Sequence, residues 1–125
     1  MNTKEINVLV LAYLGDTIYE DYIRKYLINI GIGNVNDLQT EAIKYVSANS
    51  QAEYIKTMLD NNFFTEEERD VIRRARNAKS NSHPKSCDII TYKYATALES
   101  LIGFLELEGN KKRIDEIMGY IIGSD

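Results

Sequence analysis

The chain has 125 residues, a formal net charge of −4 and a single cysteine. That length suits one domain spanning residues 1–125 rather than two. Cys87 has no mate for an intrachain disulfide, which fits a reducing, cytoplasmic setting, and no apolar run approaches the ~20 residues needed to span a bilayer, so a membrane partner is excluded.

One proline and seven glycines are few breakers for this length. With no clear strand-like alternation, the pattern predicts an all-α protein of helices joined by short loops. In the first segment, residues 5 to 30, Ile6, Val10, Tyr13, Leu14, Thr17, Ile18 and Asp21 recur at three- and four-residue steps. Gly15 interrupts that segment at a cost of about 1 kcal/mol relative to alanine, and Gly31 and Gly33 end it. Asn36 with Gln39 reads as a capping box opening a second helix through Tyr45. A third helix is expected over 48–59, with Phe63 and Phe64 behind it as a staple or core plug. Thr65 with Glu68 is the clearest capping box. Acids at 66–68 and arginines at 73, 74 and 76 then match the dipole of the helix it opens. Residues 77–88, with His83 and Pro84, read as a long polar loop. Tyr94, Leu98, Leu101, Ile102 and Leu105 mark an apolar helix face, Gly109 breaks it, and Ile114, Ile117, Met118 and Ile121 form a last amphipathic helix.

The charge is unevenly placed. Residues 69–85 carry Arg69, Arg73, Arg74, Arg76, Lys79 and Lys85 against Asp70, a net +5 that leaves the remainder at −9. An acidic body with one basic segment suits a metal-using nuclease, and equally a basic helix end satisfying its own dipole. Two acids sit in apolar surroundings: Asp16 after the run from residue 8, and Glu99 inside Ala-Thr-Ala-Leu-Glu-Ser-Leu-Ile-Gly. A carboxylate there costs free energy unless it is paired. A hard cation such as Mg²⁺, with Mn²⁺ as the alternative, is one partner that would do so. The other is a lysine or arginine at the solvent edge of the helix. Glu20, one turn after Asp16, could add a ligand through water, and its other, favoured reading is an i,i+4 pair with Arg24. His83, Cys87 and the tyrosines Tyr92 and Tyr94 are assigned to solvent or packing rather than to chemistry.

The string Leu11-Ala12-Tyr13-Leu14-Gly15-Asp16-Thr17-Ile18-Tyr19-Glu20 resembles the signature of ribonuclease III catalytic domains. Ala97-Leu98-Glu99-Ser100-Leu101-Ile102-Gly103 resembles that family's second acidic motif, in the right order and separation. Between them, Arg74-Ala75-Arg76-Asn77-Ala78-Lys79-Ser80 is similar to a basic loop of Mini-ribonuclease III, the short branch of the family. The resemblance covers nearly the whole chain. It implies a helical bundle of six or seven helices of the ribonuclease III catalytic type, a homodimer, and Mg²⁺-dependent cleavage of double-stranded RNA with Asp16 and Glu99 as metal-site and catalytic acids. It also implies a substrate in large-subunit (23S) ribosomal RNA precursor, with a ribosomal protein as a candidate partner.

Two departures stand out. Ordinary family members carry a Glu where this chain has Ala12 and an Asp where it has Thr96, a gap the short branch shares. They also append a double-stranded RNA-binding domain, whereas this sequence finishes at Ser124 and Asp125. RNA contact is therefore expected from Arg73, Arg74, Arg76, Asn77, Lys79 and Lys85, whose groups would hold phosphates rather than read bases. The missing acids motivate the alternative of a non-catalytic RNA-binding relative.

Overall fold

The computed structural model describes residues 2–79, 85 and 87–123. Within them the chain forms six α-helices and no strand: α1 (Val8–Asn29), α2 (Val35–Val46), α3 (Ala48–Asp60), α4 (Glu66–Asn77), α5 (Ile89–Leu107) and α6 (Lys111–Gly123), after a 3-10 turn at Thr3–Glu5. Half of the loop expected over 77–88, including Ser80, His83 and Pro84, lies outside the described residues, as do Ser124 and Asp125. Asn77 itself closes α4.

Local chemistry sets the boundaries. Asn7, Ser47, Thr65 and Asp88 each accept a backbone N–H from the first turn of the helix that follows, satisfying donors that have no intrahelical partner. Thr65 and Glu68 complete the reciprocal box. The box expected at Asn36 is not the one used. Asn34, two residues earlier, accepts from both Asn36 N and Asp37 N at 2.8 and 3.2 Å, so α2 starts at Val35. Three helices end alike. After α1, α3 and α5 the chain turns left-handed at Gly31 (φ 101°), Asn62 (φ 55°) and Gly109 (φ 73°). Each is followed by a long backbone return, Ile32 N to Leu27 O, Phe63 N to Met58 O and Asn110 N to Leu105 O. That is the paired C-terminal closure that glycine or asparagine permits.

α5 is the central helix. From Ala95 to Leu105 every residue except Glu99 is buried, as expected of a helix that is apolar all round rather than along one face. α1, α3, α4 and α6 pack around it through Leu11, Tyr19, Ile23, Ile55, Met58, Ile72 and Ile117. Phe64 plugs the core, edge-on to Phe63. α6 is fastened to the start of α4 by a bidentate pair. Arg113 Nε and Nη2 donate to Glu68 at 2.8 and 2.9 Å, and Nη2 also donates to Phe63 O at 2.7 Å.

Gly15 does not interrupt α1, which runs continuously through it. Its role is at the crossing with α5. A Cβ on Gly15 would lie 1.8 Å from Glu99 O, and one on Gly103 would lie 1.9 Å from Leu11 O. The two backbones therefore touch directly, and beside them the buried Ser100 hydroxyl donates to Val8 O at 2.8 Å. The intrinsic helix penalty of each glycine is offset by packing that no other residue allows. Gly15→Ala and Gly103→Ala must separate the helices, and each is expected to lower unfolding free energy by roughly 3 kcal/mol or more. Urea titration followed by circular dichroism measures this, and a loss below about 1 kcal/mol in both variants would contradict the close crossing.

Candidate active site

The crossing places both candidate acids. Asp16 follows Gly15 on α1, and Glu99 is the residue whose carbonyl meets Gly15. Their carboxylates come within hydrogen-bonding reach of each other at the bottom of a cleft of about 400 Å³. Leu9, Ala12 and Tyr13 of α1 and Tyr92, Lys93 and Thr96 of α5 line the cleft, with Ala75 and Ala78 from the end of α4. Asp16 is exposed toward solvent, whereas Glu99 is largely enclosed. Burial, followed by the hydrogen bond and the like charge of Asp16, raises the Glu99 pKa from its ordinary 4.5 to about 9. Two carboxylates forced together in a poorly solvated place favour a shared proton or a cation.

Gln51, which sequence reasoning passed over, is nearly fully buried on α3, and its Nε2 donates to Glu99 Oε2 at 3.4 Å. This contact fixes the carboxylate from behind and leaves its other oxygen for the cleft. Below it, the wholly buried Tyr19 hydroxyl donates to Tyr45 O at 2.7 Å. A polar residue on the otherwise apolar inner face of α3, among Ala52, Ile55 and Met58, was the available signal for Gln51. Lys93 is a second residue the sequence did not single out: it puts a cation on the wall of a cleft whose floor is acidic.

Glu20 is engaged by Arg24 at 3.3 Å, the pairing expected of it. Among the described residues no three acids, histidines or cysteines gather as a metal-holding group, so the donor set of the cleft is the two carboxylates. That set suits Mg²⁺, which commonly takes one or two carboxylates and keeps several waters. Ala12 and Thr96, where larger family members carry acids, both face the cleft.

The basic residues separate into two groups. Arg73 and Arg74 are held by Asp70 at 2.6 and 3.2 Å, and Arg74 Nη1 also donates to Lys4 O at 3.2 Å. They border a depression with Arg69 and Phe104, apart from the cleft. Arg76 stacks on the Tyr94 ring, and Asn77, Lys79 and Lys85 are exposed. Cys87 is a half-buried free thiol. No described helix is long and apolar enough to cross a membrane.

Residues 9–110 match the family model described as the ribonuclease III domain. The chain is 45% identical to the Mini-ribonuclease 3 of Enterococcus faecalis over 95% of its own length and 90% of that protein's. It is 47% identical to that of Brevibacillus brevis, over 90% and 82%. Among solved structures, a crystal structure of a protein from Fusobacterium nucleatum superposes with a TM-score of 0.84 at 35% identity, covering 95% of this chain and 93% of that one.

Because the Glu99 proton is bound more tightly in the folded state, its contribution to stability is complete below pH 4.5 and is lost as pH rises toward about 9. In chelator, the native protein should therefore weaken between pH 5 and pH 9. Glu99→Gln should flatten that dependence and be the more stable form at pH 8, by roughly 1–3 kcal/mol. Urea midpoints of both proteins at pH 5 and pH 8 check this, and parallel pH profiles would remove Glu99 as the cause. Gln51→Leu should lower kcat on duplex RNA about tenfold, with KM less affected, because it frees the Glu99 carboxylate to reorient. Equal kcat in the two proteins would show that Gln51 does not position Glu99.

Proposed function

The chain belongs to the ribonuclease III family, in its Mini-ribonuclease 3 branch, and from that premise we propose that it is a divalent-metal-dependent endoribonuclease that cleaves double-stranded RNA. The observation that carries this reading is the meeting of Asp16 and Glu99 in one cleft, at a helix crossing that leaves no room for a side chain. Setting an enclosed carboxylate beside a second one makes little physical sense for stability alone, since ionising both is costly.

In this reading Asp16 and Glu99 hold Mg²⁺, with Mn²⁺ as an alternative. The ion supplies activation of water and charge neutralisation at the scissile phosphate when bound. The chain's own residues do the rest. Glu99 releases its proton to become a ligand, and Gln51 keeps its carboxylate aimed into the cleft. Lys93, on the cleft wall, meets the negative charge of an entering phosphate. Arg76, Asn77, Lys79 and Lys85 take phosphates flanking the scissile one and position a helix of A-form shape without reading its sequence. Arg73 and Arg74 join them where RNA competes with Asp70.

The protein works as a homodimer in this proposal. Leu9, Val10 and Tyr13 leave a contiguous apolar face on α1 beside the cleft, with Tyr13 84% exposed. A two-fold contact there would bring two clefts to one duplex, one per strand. The biological substrate proposed from the branch is the precursor of 23S ribosomal RNA in the cytoplasm, with a ribosomal protein as a candidate partner.

The test is a long RNA duplex incubated with purified protein, with and without Mg²⁺, beside Asp16→Asn. Metal-dependent cutting, reduced at least a hundredfold in Asp16→Asn while duplex binding persists, is the expected result. Binding without cutting at any metal concentration would replace this reading with the non-catalytic RNA-binding relative.

A further inference from the structure

About half of the chain's fifteen lysines and arginines are engaged by carboxylates. Lys4, Arg24, Lys25, Lys44, Arg73, Arg74, Lys111 and Arg113 all stand in ion pairs with carboxylates. Lys56 and Arg76 belong to none of those pairs. Both lean on the same ring: Lys56 Nζ stands 4.8 Å and Arg76 Cζ 4.2 Å from the centroid of Tyr94. They arrive from different helices, α3 and α4, onto a half-buried tyrosine of α5. Lys56 acts weakly on Asp88, which is already occupied as the cap of α5. It accepts Thr91 N at 2.8 Å, and Lys56 is the weakest of the influences acting on it.

Two cations held by one ring repel each other, and the ring's π charge compensates only in part. A polyanion that reaches both would compensate further. A guanidinium stacked flat on an aromatic ring keeps its N–H edge free, the edge that grips phosphate oxygens in parallel bonds. The location is also suitable. Gln51 meets Glu99 and, five residues further along α3, Lys56 meets Tyr94, five residues back along α5. At about 1.5 Å per residue the cluster lies about 7.5 Å along the helices from the carboxylates. On the α4 side Arg76 is flanked by Ala75 and Ala78, which line the cleft.

We propose that Lys56, Arg76 and Tyr94 form a clamp for the phosphate backbone of the RNA strand, beside the carboxylate cleft. Lys56 and Arg76 bind backbone phosphates, and Tyr94 is a positioning residue that holds both cations. The clamp deepens the nuclease reading and rests on it. It adds a contact from α3, far in sequence from the basic segment.

The experiment is duplex RNA binding by the intact protein in chelator, over a range of salt concentrations, for the native chain, Lys56→Gln, Tyr94→Phe and Tyr94→Leu. The native chain should bind with a steep salt dependence. Lys56→Gln, a change at an exposed position, should weaken binding about three- to tenfold and reduce the slope of log K against log salt by about one. Tyr94→Phe should match the native chain. Tyr94→Leu should lower affinity and slope although it removes no charge, an effect that lost packing alone does not produce. Native affinity and slope in Lys56→Gln, with the native chain itself binding steeply, would overturn the clamp and leave the nuclease reading standing. Absence of salt-dependent duplex binding by the native chain would overturn both.

Discussion

The direct contact between the backbones of α1 and α5 governs the rest of the structure. Where Gly15 meets the carbonyl of Glu99, and Gly103 meets that of Leu11, the helices approach more closely than any side chain would allow. The Ser100 hydroxyl, fully buried, fixes the register of the crossing from one side. Everything chemical follows from that approach. The residue after Gly15 is Asp16, and the carbonyl in contact with Gly15 belongs to Glu99, so the acids are delivered to each other by the same atoms that bring the helices together. Packing α3 and α4 against the other sides of α5 then adds Gln51 behind Glu99 and the alanines of α4 along the cleft rim.

The acid pair opposes the fold that creates it. Within the buried stretch of α5 Glu99 is the exception, and its carboxyl resists ionisation because water is displaced and Asp16 is adjacent. The surrounding core is made of well-packed aliphatic residues from five helices, which supplies stability enough to tolerate the conflict. Such local tension at a site held by a rigid frame is a common mark of function.

Much of this was legible from the residues. Helical periodicity, the Thr65–Glu68 box and the glycines at 31 and 109 located most elements, because those signals act within a few residues. The start of α2 was misplaced because Asn34 and Asn36 are both competent caps, and only the backbone conformation decides between them. Gly15 was read as a local weakness because its benefit comes from a helix most of a chain length away. Asp16 and Glu99 stood out through their apolar neighbours and through the motifs they sit in. Gln51 and Lys56 did not, since a polar residue on α3 gains meaning only once α5 lies against it. The charge of residues 69–85 was visible as a block, yet the structure divides it: Asp70 engages Arg73 and Arg74, while Arg76 turns to Tyr94.

The crossing also has a consequence in time. Its two halves come from opposite ends of the chain, α1 near the start and α5 near the finish, so the defining contact is strongly non-local and its formation closes a long loop. During synthesis, which proceeds from the N-terminus, Asp16 emerges early and has no partner until α5 has been made. A nascent chain therefore cannot assemble the carboxylate pair while most of it is still being translated. The topology itself delays the appearance of the acid pair until α5 has been synthesised, and a product truncated before α5 would lack the pair altogether.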